Sequence, residues 1–142
     1  MIRYLFDTNI LSELVRPAPN TQVQARYSAH HHEGAIAATV WHELLYGIQR
    51  LAPGRRRDQL ARYMTDVIQA SLPVLAYDAA AAQWHARERA RLEGIGQPRP
   101  LQDSTIAAVA ASRGLILVTR NTQDFAAFRG LHLENWFESD AV

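Results

Sequence analysis

The chain has 142 residues, enough for one compact domain with a real core and too few for two comfortable ones. Hydrophobic residues make up 48% and charged residues 20%, which excludes wholesale disorder; with no cysteine, disulfides, a thiolate zinc site and thiol catalysis are excluded too. The formal net charge of +1 gives no strong basic field of the nucleic-acid kind, and all 15 basic residues are arginine, which removes any mechanism that needs a lysine.

Ile2 to Phe6 reads as a short buried strand that ends at Asp7, with Thr8 or Asn9 placed to cap the next helix. Ile10, Leu11 and Leu14 give that helix an apolar face, and Pro17 with Pro19 stops it. Thr21 to His30 is a second, more polar helix. Ala35 to Thr39 is the next apolar run, leading into a helix over Val40 to Gly47. Pro53-Gly54 breaks the pattern, and Arg55 to Ala70 is amphipathic through Leu60, Met64, Val67 and Ile68. Pro73 to Tyr77 is a third strand candidate. Asp78 caps an alanine-rich helix to about Leu92, and Gly94 to Pro100 is a loop by composition. Asp103 opens a helix that Gly114 ends, Leu115 to Thr119 is a fourth strand, Asn121 to Phe128 a short helix, and Leu131 to Leu133 an edge strand.

Strands alternating with helices predict a single α/β domain over residues 1–142 with a mostly parallel sheet, whose ligands sit beyond the carboxyl ends of the strands. The apolar start is too short for a signal-peptide core, and no segment approaches the roughly 20 apolar residues that span a bilayer. A soluble, cytoplasmic protein with no membrane contact is therefore expected.

Asp7, Glu43 and Asp124 each follow a strand closely, the latter two in the first turn of the next helix. Asp103 starts the helix that feeds the Leu115 strand. All four belong at one edge of the sheet. Gathered there, carboxylates raise each other's pKa values unless a cation joins them, and a hard divalent ion with oxygen ligands, Mg2+ or Mn2+, suits them. The competing explanation is local: acids in a first turn are favoured by the helix dipole, by about 0.3–1 kcal/mol each, and Asn121 with Asp124 has capping-box-like spacing. Against it, Asp103 shares a stripe with Ile106, Ala107 and Ala110, and Glu43 one with Val40 and Gly47. Charges aimed inward are costly unless paired or bound to metal.

At these residues the chain resembles the PIN-domain nucleases, and more closely the VapC-type toxins of toxin–antitoxin pairs. The matching segments are Tyr4 to Asn9, Glu43-Leu44 with Gly47, Asp103 to Ala108 and Leu117 to Phe125. They run in family order over essentially the whole chain. The resemblance implies a PIN-like three-layer α/β/α sandwich and an acidic metal-binding quartet at Asp7, Glu43, Asp103 and Asp124, with Thr119 and Asn121 in polar supporting positions. It also implies Mg2+- or Mn2+-dependent cleavage of RNA, a homodimer, and a cognate antitoxin that covers the site.

In that mechanism the carboxylates hold a metal that lowers the pKa of a bound water and stabilises charge on the scissile phosphate. In-line attack leaves a 3′-hydroxyl and a 5′-phosphate. Asp7 and Asp103 are the favoured direct ligands; Glu43 and Asp124 bind directly, through water or via a second metal, or one serves as general base. Arg120, next to the site in sequence, is the favoured phosphate partner among Arg16, Arg50, Arg55, Arg56, Arg57 and Arg120.

Other features take structural readings. His30-His31-His32 fits a solvated helix end better than a metal site, and Trp41, Trp84 and Trp136 fit core or interface packing. Tyr46, Ile48 and Leu51, with the Leu11–Leu14 face, suit a groove for an antitoxin helix or a dimer contact. An Asp-nucleophile phosphatase wants a second acid where Asn9 stands and, like a phospho-accepting receiver, a lysine. The alternative that survives is a PIN-like module that binds RNA or a partner without cutting; the site, not the fold, separates the two.

Overall fold

In the computed structural model, which describes residues 1–138, the strands are β1 (Tyr4–Phe6), β2 (Gly34–Ala37), β3 (Val74–Leu75), β4 (Ile116–Val118) and β5 (His132–Glu134). They form one sheet in the order β3-β2-β1-β4-β5, and every pairing is parallel. The helices are α1 (Thr8–Leu14), α2 (Thr21–His30), α3 (Ala38–Gln49), α4 (Arg55–Tyr63), α5 (Ala79–Gly94), α6 (Leu101–Ser112) and α7 (Thr122–Phe125). The result is the α/β/α sandwich expected from the sequence, and its sheet is wholly parallel.

A parallel sheet covered on both faces needs strands that are apolar throughout. β1 meets this with Tyr4, Leu5 and Phe6, all buried, and β2 with Gly34 to Ala37. Phe6 packs between the rings of Tyr27 and Trp136, each 5.3 Å away between centroids. Trp136 is buried and donates its Nε1–H to Glu134 at 2.9 Å, so it is core, and Trp41 and Trp84 lie half-buried against the same core. The histidine run is not the solvated end expected of it. His30 packs against Tyr4 and Trp136, and His31 stacks on Tyr27, leaving only His32 exposed.

Several boundaries differ from the sequence reading. Asp7 itself caps α1, accepting from the Thr8 N–H at 2.8 Å, where Thr8 or Asn9 was expected to cap. β2 stops at Ala37 and α3 already begins at Ala38, taking Thr39 out of the strand. α6 begins two residues before Asp103, because Pro100 fits the position just before a helix and cannot continue one backwards.

The stretch read as one helix from Arg55 to Ala70 is α-helical only to Tyr63 and continues over Met64–Gln69 with wider, π-type turns. Its apolar residues Leu60, Met64 and Ile68 recur every four. That spacing overshoots an α-turn by about 40° and undershoots a π-turn, so the change keeps all three in line toward the core. No helix among the described residues is long and apolar enough to cross a membrane.

Candidate active site

β1 sits centrally. The chain builds outward from it through β2 to β3, then returns to lay β4 on its other side. The crevice at the carboxyl ends of β1 and β4 is thus the topological switch point where ligands bind in open α/β sheets. Phe6 pairs with Val118, so Asp7 and Thr119 leave the sheet side by side.

Thr119 is fully buried and its hydroxyl is used completely. It donates to Asp7 Oδ2 at 2.9 Å and accepts from Asn9 Nδ2 at 3.3 Å and from the Asn121 N–H at 3.1 Å. Asn9 also donates to Asp7 Oδ2 at 3.3 Å and accepts from the Arg120 N–H at 3.0 Å. These bonds fix the Asp7 carboxylate. Burial still pushes its pKa up, the Thr119, Thr8 and Asn9 donors pull it down, and the neighbouring Glu43 charge adds to the rise.

Glu43 lies in the second turn of α3 rather than the first, one turn further than the sequence suggested. Its Oε2 accepts from the Thr8 hydroxyl at 2.8 Å, while its Oε1 is buried and has no partner. Asp103, the third residue of α6, is half-buried. Burial raises its pKa most, followed by the charges of Asp7, Asp124 and Glu43, with Arg99 opposing. The first three acids line one cleft of about 380 Å³ together with Thr8, Asn9, Ser12, Gln102 and Asn121.

Asp124 is set apart. It is exposed on α7 and lines the adjoining depression with Arg120, Asn121 and Asn135, close enough for its charge to be felt at Asp103. The Asn121 side chain makes no cap hydrogen bond, which removes the capping account of this pair. Asn121 lines both hollows and joins them. Arg120 lays its guanidinium over the Phe137 ring at 4.5 Å, facing the Asp124 side. Among the described residues, no three His, Asp or Glu side chains come close enough to clamp one ion by themselves.

Chemically the donors fit a hard divalent cation. They are oxygens, they carry excess negative charge, and one of them, Glu43 Oε1, is buried without a partner, which is expensive unless something positive meets it. Mg2+ commonly takes one or two carboxylates directly and keeps several waters, so a ring this open is compatible with it.

The PIN domain family model matches residues 4–131. The chain belongs to the PIN domain family. The tRNA(fMet)-specific endonuclease VapC of Shigella flexneri is 34% identical over 137 residues, 96% of this chain and 99% of the relative. Among solved structures, FitAcB from Neisseria gonorrhoeae superposes with a TM-score of 0.89 at 27% identity, covering 96% of this PIN domain and 99% of that chain. DNA-bound VapBC from Salmonella typhimurium gives 0.80 at 28%, with 96% and 99% covered.

Several residues in or beside this PIN domain's cleft escaped the sequence reading as site residues. Thr8 and Asn9 were read as caps, yet one holds Glu43 and the other Asp7 and Thr119. Ser12, on the next turn of α1, also lines the cleft. Arg99, in the stretch read only as a loop, brings its charge to Asp103. The Asp-Thr-Asn order in the resemblance was the signal for the first pair; nothing in the sequence marked Arg99.

Proposed function

We propose that this PIN domain is a metal-dependent endoribonuclease and the toxin of a toxin–antitoxin pair. The observation that carries the reading is the convergence of Asp7, Glu43 and Asp103 on one cleft at the switch point, with Glu43 Oε1 buried and unpartnered. A helix-cap role accounts for Asp7 Oδ1 alone and not for the convergence with Glu43 and Asp103. The full-length likeness to VapC ribonucleases supports RNA as the substrate, and initiator tRNA is the first one to try.

Asp7, Glu43 and Asp103 would share Mg2+ or Mn2+, one or two of them directly and the rest through its waters, with Asp124 reaching it through water or accepting a proton. When bound, the ion supplies Lewis-acid stabilisation of phosphate charge and a lower pKa for the attacking water. Thr119, Thr8 and Asn9 keep the carboxylates aimed into the cleft, so little reorganisation is needed on binding. Hydrolysis joins the water oxygen to phosphorus and breaks the bond to O3′, leaving a 5′-phosphate and a 3′-hydroxyl. The water's proton passes to a carboxylate, Asp124 or whichever cleft acid does not bind the ion directly.

An apolar groove of about 360 Å³ opens beside the cleft, floored by Leu44, Ile48, Leu60 and Met64 and sharing Thr8, Ser12 and Glu43 with the acidic site. An amphipathic antitoxin helix seated there would reach the catalytic residues; the toxin–antitoxin complex from Klebsiella pneumoniae among the structural neighbours supports such a partner. Action in the cytoplasm and a homodimer complete the proposal; light scattering reads the latter directly.

The test is incubation of purified protein with initiator tRNA, an unstructured RNA and an RNA duplex, with Mg2+, Mn2+ or EDTA, beside Asp7→Asn. Cutting that needs the ion and is lost in the variant is expected. Binding without cutting under every condition would transfer the protein to the non-catalytic reading.

A further inference from the structure

The acidic cleft repels the substrate it is proposed to cut, so affinity must come from elsewhere on the surface. α3 offers a place. Counting 100° per residue, positions 39, 43, 46 and 50 fall within an arc of about 60°. The stripe holding Glu43 therefore continues along the helix through Tyr46 to Arg50, about 10 Å further on.

Tyr46 is 56% exposed, and it is organised rather than loose. The His42 ring stacks beside it at 6.1 Å between centroids and 28° between planes, and the Arg50 guanidinium sits 5.4 Å from the Tyr46 centroid. Arg57 donates to Gln49 Oε1 at 2.6 Å on the neighbouring flank of the helix. A single exposed aromatic needs no explanation. An exposed aromatic flanked by a histidine and an arginine, in line with a carboxylate of the cleft, combines the two elements of a single-strand platform: a π-face and positive charge.

The geometry points to an RNA track along α3, in which the strand leaving the cleft stacks a base on Tyr46 and lays a phosphate against Arg50. This deepens the ribonuclease reading and rests on it. The ligand is single-stranded RNA, because only unpaired bases can stack on a side chain in this way. Positive charge argues for RNA over an apolar helix: Arg50 sits on this stripe against Tyr46, whereas the apolar groove lies on the flank of α3 carrying Leu44 and Ile48.

The experiment uses a fluorescein-labelled single-stranded RNA in EDTA, so that binding is read by anisotropy without cleavage. Thermal melts show that each variant folds. Tyr46→Ala should weaken binding about tenfold with an unchanged salt slope, and Tyr46→Phe should restore it. Arg50→Ala should lower the slope of log K against log salt by about 0.7, the signature of one lost phosphate contact.

Folded Tyr46→Ala and Arg50→Ala variants that bind like wild type would overturn the track. If those variants instead lost affinity for a cognate antitoxin, the face would belong to that protein. The outcomes separate from those of the parent reading. Normal binding by the α3 variants, with cleavage still lost in Asp7→Asn, removes the track alone. Failure of the wild type to bind single-stranded RNA or to cut any RNA removes both.

Discussion

Asp7 shows how one side chain can serve the fold and the site at once. Its Oδ1 caps α1 through the Thr8 N–H, while Oδ2 takes the Thr119 hydroxyl. The raised pKa values of Asp7 and Asp103 have a clear consequence for stability. A carboxyl whose folded pKa is raised favours folding fully below its unfolded value, and that contribution is lost as pH rises through the folded pKa. At neutral pH without metal, each therefore costs stability. Asp103→Asn removes the charge, so its melting temperature should exceed that of wild type at pH 7 in EDTA. The gain should vanish below about pH 4, where Asp is protonated in both states, and RNA cleavage should fall by at least a hundredfold. A lower melting temperature at pH 7 would mean that the carboxylate is a structural group.

At this scale the acids were legible because each follows a strand end or shares a stripe with apolar residues. Thr8 and Thr119 were harder to place, since Thr8 meets a carboxylate 35 positions away and Thr119 one 112 positions away. Arg99 left no trace, because a loop residue has no periodicity to betray where it points.

Among elements, the strand-to-helix rhythm was readable because the buried parallel strands are uniformly apolar and short. What the sequence obscured was where strand gives way to helix. Ala37-Ala38-Thr39 carries no punctuation, and β3 shrinks to Val74–Leu75 at the sheet edge. One contact between strands is stringent. A Cβ on Gly34 in β2 would run into the Phe6 ring of β1, and that ring is confined by Tyr27 and Trp136. Gly34→Ala should therefore destabilise the protein by about 1–3 kcal/mol, measured by urea unfolding. It should also lower cleavage by displacing the strand that carries Asp7. Unchanged stability would show that Phe6 has room to move.

A second tie joins α5 to the turn before β5. Glu88 accepts from Arg91 Nε and Nη2, both at 2.8 Å, and from the Arg129 N–H at 2.7 Å. Arg91 also donates to the Ala127 carbonyl at 2.8 Å. These bonds hold the Glu88 carboxyl below its ordinary pKa, as the Asn20 N–H and Arg16 do for Glu13. Their contribution is present above the unfolded pKa and lost as pH falls through the folded one, opposite in sign to that of Asp7 and Asp103.

Across the whole molecule, the two groups of carboxylates divide the labour. Glu13, Asp78 and Glu88 stabilise the frame in their ionised form, while the environment of Asp7 and Asp103, at the one edge where β1 and β4 end, disfavours theirs. A cation at that edge would relieve the cost. The parallel sheet and its switch point were legible from the order of strands and helices, as was the edge where the acids meet. The separation of Asp124 into its own depression was not, because the Asn135 and Glu138 that line it with Arg120 come from a later part of the chain, beyond β5.

The most direct measurement is a Mn2+ titration of the wild-type protein in which ion binding and single-turnover cleavage of one RNA are followed together, repeated with Asp7→Asn. The account predicts that cleavage rises in step with saturable ion occupancy, is abolished by EDTA, and is absent from the variant together with most of the binding. Cleavage that persists in EDTA, or that Asp7→Asn performs at the wild-type rate, would contradict it.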